Sequence, residues 1–361
     1  MADSVSAQDF AVDLRGHRVV WSMPLVDVLT DELAAAGIRR FMLISSGDLA
    51  RRFDAVAGDA AKRMFAGCFT EIVSHVPEAS VVNAIDAARH CDADGLLVFG
   101  GGTSLDTAKA VSDRLGLPIV AVPTNFSGSE VTWNFGLTAN GVKQTIRNPT
   151  VLPKVVIYDP SLVASLPLDM AVCSGINAVA HAIEALYAPQ ANPFTQSLAE
   201  TGIRKMIAGL RERAVSPAPS YGAARLCLTG SWLCGEVLSQ VGMGLHHRIC
   251  HVLGGTFGLP HAQTHTVLLP YSVEWNFSHA TALAPLADLF PGQSLATGLA
   301  EFSVRHGAPA SLRELGLSIA RLPEVAQRVL DTPVANPRPV SVADVRTILD
   351  SAYAGELVTR H

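Results

Sequence analysis

The stretch Leu96–Ala110 reads "LLVFGGGTSLDTAKA", and it decides the fold of the first half of the chain. Four apolar residues are typical of a buried strand, three glycines interrupt the pattern, and the residues after them have helical spacing. A strand that runs through a glycine loop into a helix is typical of parallel α/β units. Glycines let a ligand approach the backbone, and a helix N-terminus offers its N–H groups to a phosphate. A tight turn with no ligand is the other interpretation of so short a motif.

The residues predicted to contact a dinucleotide follow the ends of three strands. The glycine loop ends one strand, and the polar loop "PTNFSGSEVT" (123–132) follows the next, so both would line one crevice. Thr103 and Asp106 also have the spacing of a capping box, so Asp106 serves either the helix or the ligand. A third strand ends on serines, with Asp48 further on, which leaves NADH and NADPH both open. The predicted cofactor-binding residues are Ser46, Gly100, Gly101, Gly102, Thr103, Ser104, Asp106, Thr124, Asn125 and Ser129.

Strand-like and helix-like segments alternate along the first 160 residues. "HRVVWS", "RRFMLISS", "LLVFGGG" and "PIVAVPT" read as strands separated by helices, which indicates a parallel sheet covered on both faces. After "KVVIYDPSLVASLP" the periodicity becomes helical. We therefore predict an α/β, Rossmann-like dinucleotide-binding domain over residues 1–162 and an all-helical catalytic domain over residues 163–361.

The composition excludes several classes of protein. Of the 361 residues, 49% are hydrophobic, enough for large cores, and the formal net charge of −5 attracts neither nucleic acid nor an anionic membrane. Six cysteines without a CxxC spacing read as reduced thiols. The first residues lack a signal-peptide pattern, and no apolar run reaches the roughly 18 residues of a membrane span. We expect a cytoplasmic protein.

Polar residues at helical spacing mark the second half of the chain. In "SGINAVAHAIEALYA" (174–188), Asn177 and His181 lie one turn apart among small apolar residues. Five of the twelve histidines fall in "GLHHRICHVLGGTFGLPHAQTH" (244–265), where His247 and His251 are again one turn apart. We expect Gly254-Gly255 to end that helix and His261 to follow beyond a short loop. The fold could bring these imidazoles together, with or without a metal ion.

These stretches together resemble the group III, or iron-containing, alcohol dehydrogenase superfamily. The similarity runs from about Phe10 to about Gly355, and within the superfamily the chain is most similar to the maleylacetate reductases. The matching stretches are "FGGGTSLDTAKA", "GSEVTWNFGLTANGVKQTIRNPTVLPKVVIYDP", "SGINAVAHAIEALYA", "MGLHHRICHVLGGTFGLPHAQTHTVLLP", "GAPASLRELG" and "NPRPV". The resemblance implies a dehydroquinate synthase-like architecture, an active site between the two domains, and a homodimer.

The resemblance also implies roles for single residues. Metal-dependent members hold the ion with an Asp and three histidines, at positions that correspond to Asn177, His181, His247 and His261. A further histidine, at the position of His251, lies close to the substrate. Maleylacetate reductases are similar to this chain in carrying Asn in place of the Asp, and they work without metal, so no metal is expected. An amide in place of a carboxylate removes a full charge from the ligand set, although three histidines alone can hold zinc.

One loop departs from the family pattern. The chain reads "GVKQTIRNP" (141–149) where maleylacetate reductases usually read "GVKRTGRDP". Lys143 and Arg147 remain, while Gln144 replaces a base and Ile146 a glycine. The substrate is therefore maleylacetate or a related small unsaturated or keto dicarboxylate.

The predicted reaction is reduction of a conjugated C=C bond by NADH or NADPH. Arg147 or Lys143 holds a substrate carboxylate through charge-assisted hydrogen bonds. His181, His247 and His261 stabilise the charge on the conjugated oxygen. His251 delivers the proton, with His247 as second choice. A metal-dependent alcohol dehydrogenase, a dehydroquinate synthase-like lyase and a non-catalytic nucleotide-binding protein are the alternatives.

Overall fold

The computed structural model describes residues 12, 16–139, 142–216 and 218–357, except for the side chains of residues 142 and 143. The strands are β1 (Arg18–Trp21), β2 (Phe41–Ile44), β3 (Phe65–Phe69), β4 (Gly95–Gly100), β5 (Ile119–Pro123), β6 (Asn134–Ala139), β7 (Val142–Arg147) and β8 (Val155–Tyr158). The helices of the first part are α1 (Leu29–Ala35), α2 (Gly47–Val56), α3 (Gly58–Met64), α4 (Glu78–His90) and α5 (Gly102–Leu115). Those of the second part are α6 (Pro160–Val163), α7 (Leu168–Tyr187), α8 (Pro193–Val215), α9 (Tyr221–Gln240), α10 (Leu245–Phe257), α11 (His261–Asn276), α12 (Leu295–Arg305), α13 (Leu322–Val329) and α14 (Val342–Ala354).

Six strands form one parallel sheet in the order β1-β8-β5-β4-β2-β3. Every residue of β4 and β5 is buried, because helices cover both faces of the sheet. Their carboxyl ends bring the glycine loop and the 123–132 loop to the same edge. The predicted fold class, an α/β domain followed by a helical domain, is confirmed.

Two features of the first part were not predicted. Strand β3, "FAGCF", lies at the edge of the sheet, and its glycine and half-exposed residues hide the strand pattern. Strands β6 and β7 form a separate antiparallel pair in which Asn134 lies opposite Arg147. This hairpin extends the α/β part toward the helical part, since Asn134 and Arg147 both contact carbonyl groups near the end of α9.

Helix α7 forms the centre of the helical part. Within the described residues it is also the one helix long and apolar enough to cross a membrane, yet 89% of its apolar window is buried inside the protein. It packs against α8, α9 and α11, as expected of a core helix. The sheet ends with β8, and the predicted division after residue 162 falls in the short α6; we keep that boundary as a proposal.

The predicted end of α10 at Gly254-Gly255 is wrong. The helix continues to Phe257 and ends at Gly258, whose φ of 71° is the left-handed conformation that glycine adopts without strain. Gly254 lies inside the helix, where a Cβ atom would be 3.3 Å from Cε1 of His75. The glycine thus lets a segment of the α/β part approach α10 closely, which is a packing requirement that mimics a stop signal.

Candidate active site

A cavity of about 780 Å³ lies between the α/β part and the helical part. The sequence-predicted residues that line it are Gly102, Thr103, Asp106, Asn125, Ser129, Arg147, Asn177, His181, His247, His251 and His261. The predicted residues outside its lining are Ser46, Gly100, Gly101, Ser104 and Thr124. Lys143 lies in β7, but its side chain is outside the described part of the chain. One cleft therefore brings together residues that are up to 159 positions apart, from 102 to 261.

The glycine loop gives the α/β wall an open helix N-terminus. Helix α5 begins at Gly102, and its N-cap, Gly101, carries no side-chain cap. The first N–H groups of the helix are therefore available to an anion such as a pyrophosphate. A Cβ atom at position 101 would collide with the amide nitrogen of Asn125, so the glycine also lets the two loops pack together. Thr124 continues this contact, because its N–H donates to the Gly100 carbonyl at 3.1 Å.

Asp106 does not cap α5. Its Oδ2 accepts from the N–H of Gly136 at 3.0 Å, and its Oδ1 accepts from the hydroxyl of Ser129 at 3.3 Å. The carboxylate therefore holds the neighbouring wall of the cleft. Two predicted contacts remain: Ser104 is buried in the first turn of α5, and Ser46 is the N-cap of α2 just beyond β2, without a side-chain capping bond.

On the helical wall, the predicted site residues are four imidazoles and the amide of Asn177, on three helices. Asn177 and His181 from α7 and His247 from α10 are buried, with His181 and His247 ring centroids 5.0 Å apart. His251 follows one turn after His247, at 6.1 Å. His261 opens α11 after Pro260. The helical spacing seen in the sequence thus places these rings on one surface.

Glu184 is a site residue that the sequence reasoning missed. It lies one turn after His181, fully inside the protein, and its Oε2 accepts from Nδ1 of His247 at 2.6 Å. The carboxylate also accepts from the N–H groups of Gly244 at 2.9 Å and His246 at 2.7 Å, at the positive end of α10. The sequence signal was a single glutamate one turn after His181, in the largely apolar second half of α7.

These contacts fix the charge of Glu184 and the tautomer of His247. Burial alone would raise the pKa of Glu184, but the hydrogen bond from His247, the nearby imidazoles and the Gly244 N–H lower it to about 2. The ionised carboxylate accepts a hydrogen bond from a protonated Nδ1 of His247. Nε2 of His247 is therefore the ring nitrogen that is left to bind a ligand in the site. This Nε2 is buried without a hydrogen-bond partner.

A buried series of hydrogen bonds through Ser272, His246 and His265 lies behind the cleft, and the sequence reasoning also missed it. The hydroxyl of Ser272 donates to the Leu268 carbonyl at 3.1 Å, so it accepts from Nδ1 of His246 at 3.0 Å. Nε2 of His246 then accepts from Nδ1 of His265 at 2.9 Å. Burial and the neighbouring His247 lower the pKa of His246 to about 3, and burial first, then other histidines, keeps the pKa of His265 well below its usual value. The imidazoles of His246 and His265 are therefore neutral, whereas the Glu184–His247 pair contains an ionised carboxylate.

Two groups of residues carry donor atoms that suit a metal ion. Ring nitrogens of His246, His247 and His265 all lie within 4.8 Å of one another. His246, however, uses both ring nitrogens in its hydrogen bonds to Ser272 and His265, so this triad could bind a metal only by breaking one of them. The chemistry of the three residues does not favour a metal there.

The set implied by the family resemblance offers unpaired ligand atoms at Asn177 and His247, although its three imidazoles are not the described histidines whose ring nitrogens lie within 4.8 Å of one another. Oδ1 of Asn177 and Nε2 of His247 are both buried without partners. With His181 and His261 they could hold a divalent transition metal, because three imidazoles suffice for zinc. The set nevertheless has no anionic ligand, which weakens its attraction for a cation.

Cationic side chains outnumber anionic ones along the cavity. Arg147 and Arg248 line it, and Asp106 is the one carboxylate among the described residues of its lining. Arg147 is held in place by a 2.9 Å hydrogen bond to the Ser239 carbonyl, and Arg248 by bonds to carbonyls at the end of α13. This balance favours an anionic ligand.

His75 is a further cleft residue that the sequence did not reveal. It lies in the loop before α4, and both His75 (φ 63°) and Val76 (φ 47°) adopt left-handed backbone conformations. Such strain is unusual for a β-branched residue and is concentrated at functional sites. Thr138 of β6 holds the segment by hydrogen bonds to both carbonyls, at 2.7 and 3.0 Å.

The chain belongs to the iron-containing alcohol dehydrogenase family. The model for "Iron-containing alcohol dehydrogenase" matches residues 18–160, and that for the "Fe-containing alcohol dehydrogenase family, C-terminal" matches residues 171–353. The protein is accordingly an oxidoreductase of this family.

Within this family the chain is similar to maleylacetate reductases. It is 40% identical to the maleylacetate reductase of Burkholderia cepacia over 96% of this chain and 98% of that protein. It is 39% identical to that of Rhizobium sp. (strain MTP-10005), over 96% and 99% of the two chains. The crystal structure of maleylacetate reductase from Agrobacterium tumefaciens superimposes with a TM-score of 0.89 at 39% identity, covering 97% of this chain and 99% of that one. The protein is thus a maleylacetate reductase-like oxidoreductase.

Proposed function

We propose that the protein reduces maleylacetate, or a closely related small unsaturated or keto dicarboxylate, with NADH or NADPH and without a metal ion. The product from maleylacetate is 3-oxoadipate. The observation that carries the proposal is the cleft itself, where a helix N-terminus, a fixed arginine and a wall of imidazoles face one cavity. The full-length similarity to proteins named maleylacetate reductase supports the choice of substrate.

In this proposal the cofactor lies along the carboxyl edge of the sheet. The N–H groups at the start of α5 bind its pyrophosphate, and Gly100, Gly101 and Gly102 leave room for it. Asn125 and Ser129 of the following loop face the nicotinamide end. The remaining contacts proposed are Ser46, Thr103, Ser104, Asp106 and Thr124.

The substrate carboxylate binds Arg147, with Lys143 as a second cation on the same strand. A bound NADH or NADPH would supply the hydride that adds to the electron-poor carbon of the C=C bond, and negative charge would develop on the conjugated oxygen. Hydrogen-bond donors around that oxygen stabilise the charge. We assign this role to Asn177, His181, His247 and His261.

A proton must reach the adjacent carbon for the reaction to balance. His251 is our first choice, since it lines the cavity one turn beyond the imidazole cluster. His247 is the second choice. The Nδ1–H of His247 donates to Glu184. His247 can therefore donate into the cleft from Nε2 only when both ring nitrogens carry protons.

The second candidate function is a metal-dependent alcohol dehydrogenase. The unpartnered Nε2 of His247 favours it, because that lone pair suits a metal as well as a proton. A bound metal would polarise a carbonyl oxygen. Replacing Asn177 by Asp restores the anionic ligand, so zinc affinity should rise at least about tenfold through charge attraction. Isothermal titration of both proteins with zinc measures this, and equal affinities would show that residue 177 does not control metal binding.

An assay at 340 nm with purified protein tests the proposed substrate. Maleylacetate should be reduced with one NADH or NADPH consumed for each 3-oxoadipate formed, identified by mass spectrometry. Short-chain alcohols and aldehydes serve as the comparison, and a preference for them would favour the second candidate. Conversion of maleylacetate to a product other than 3-oxoadipate, without net loss of absorbance, would identify a lyase that uses the nucleotide only transiently. We also propose that the protein is cytoplasmic and that it forms a homodimer. Sedimentation of the purified protein tests the homodimer.

A further inference from the structure

Lys109 is a fully buried cation that the proposed reaction does not use. It lies on α5, two turns after the glycine loop, and its side chain is wholly excluded from solvent. Lysine is almost never fully buried unless its ammonium group is paired. Here Nζ donates to the carbonyl of Ser129 at 2.6 Å, its hydroxyl at 3.0 Å, the hydroxyl of Thr132 at 2.9 Å and the carbonyl of Asn134 at 2.9 Å.

Asp106 holds the same segment from one turn earlier on α5. As described above, its two oxygens accept from Ser129 and from the N–H of Gly136. A cation and an anion on one helix face therefore bind the segment 129–136 between them. Ser129, Thr132, Asn134 and Gly136 all line the cleft, so the two residues fix a wall of the site.

The fixed wall leads directly to Arg147. Asn134 begins β6 and lies opposite Arg147 in the antiparallel ladder with β7. Helix α5, which begins at the glycine loop, therefore holds the start of β6 through Lys109, and β6 pairs with β7, the strand that contains Arg147. Two binding groups of the cleft, one for the cofactor and one for the substrate carboxylate, share one rigid support.

We propose that Lys109 and Asp106 are positioning residues that fix the position of Arg147 relative to the glycine loop. This inference rests on the proposed role of Arg147 in binding a substrate carboxylate. Burial, opposed by the charges of Asp106 and Glu130, lowers the pKa of Lys109 to about 8. The ammonium is retained in this environment because each of its protons faces an oxygen acceptor.

The test replaces Lys109 by Met, which keeps the length of the side chain and removes its charge. kcat/KM for maleylacetate should fall at least about tenfold, because 1 Å of misplacement can cost up to ~10²-fold. The Kd for NADH, measured by fluorescence, should weaken by much less than kcat/KM falls, because Lys109 holds Ser129 but the N–H groups at the start of α5 are untouched. Ser112→Ala is the matched control: Ser112 is buried one turn later on α5 and bonds the Leu117 carbonyl, away from the cleft wall.

A double-mutant cycle with Arg147→Met separates positioning from general damage. If Lys109 acts through Arg147, the two losses are not additive, and the double variant loses little more than Arg147→Met alone. Additive losses, or an equal loss of NADH affinity in Lys109→Met, would overturn the proposal. Asp106→Asn keeps one acceptor oxygen and should lose less than Lys109→Met, so it replaces that variant in the cycle if Lys109→Met does not fold.

Hydrogen exchange tests the support without any substrate. Amides of residues 129–136 should exchange faster in Lys109→Met or Asp106→Asn, while Ser112→Ala should match the wild type there. Unchanged exchange in this segment would overturn the proposal even if activity falls. If the wild type reduces no dicarboxylate but this segment loses protection, the proposed function fails and the structural role of the two residues stands.

Discussion

The two walls of the cleft are built in different ways. The α/β wall uses backbone groups at the start of α5, glycines that let loops approach, and hydrogen bonds from the buried Lys109 and to Asp106 that hold the segment 129–136. The helical wall uses side chains, which are imidazoles supported from behind by Glu184 or by the hydrogen bonds through Ser272. The α/β wall thus offers a ligand a fixed shape and fixed backbone dipoles. The chemistry of the helical wall depends instead on which ring nitrogens of its histidines carry protons.

The largest expected effect lies on the helical wall, at His251. Replacing His251 by Ala should lower kcat roughly 10²- to 10⁴-fold if it delivers the proton. NADH affinity should be unchanged, because the cofactor loops are on the other wall. Steady-state kinetics and a fluorescence titration measure the two quantities, with His279→Ala, an exposed histidine, as the control. Near-wild-type turnover would remove His251 from the mechanism.

The next effect concerns the support behind the same wall. Glu184→Gln keeps the shape of the side chain but removes the charge that His247 faces. A hydrogen bond to a charged group contributes ~1.5–3 kcal/mol, so kcat should fall roughly 10- to 100-fold. Glu301→Gln, at an exposed position, is the matched control. Equal kcat values for Glu184→Gln and the wild type would mean that His247 works without its carboxylate.

A smaller effect is expected on the α/β wall. Gly101→Ala places a methyl group against Asn125, so the two cofactor loops must separate. The Kd for NADH should weaken about tenfold, equivalent to ~1.4 kcal/mol, with little change in kcat. Gly16→Ala, where a methyl group meets nothing within 4 Å, is the control. A fall in kcat at unchanged affinity would contradict the division of labour between the walls.

The smallest effect is a pH dependence of stability at Lys109. Its pKa is about 8 in the folded protein against 10.5 as the ordinary value. Between these values the unfolded chain binds more protons at this residue, so folding stability rises with pH. From pH 7.5 to 9.5 the Tm of the wild type should rise relative to that of Lys109→Met by a few degrees, at ~2–4 °C per kcal/mol. A constant difference between the two Tm values would contradict the lowered pKa.

The same contrast explains what could be predicted from the sequence. The glycine loop and the Asn177–His181 and His247–His251 pairs follow from local spacing, because a turn or a helix fixes their geometry within a few residues. Glu184 and His265 could not be assigned, since their roles depend on partners 63 and 19 positions away. The end of α10 was misplaced for a related reason. Gly254 is required by its close approach to the side chain of His75, which lies in the other part of the molecule.

The central claim is that the helical wall stabilises the reduced product with imidazoles and an amide and needs no cation. Turnover of maleylacetate by protein stripped with a chelator, with metal content checked by elemental analysis, tests it most directly. We predict full activity at less than about 0.05 metal ions per chain, a level that cannot support stoichiometric metal catalysis. Activity that disappears with the metal and returns when zinc or iron is added back would contradict the claim.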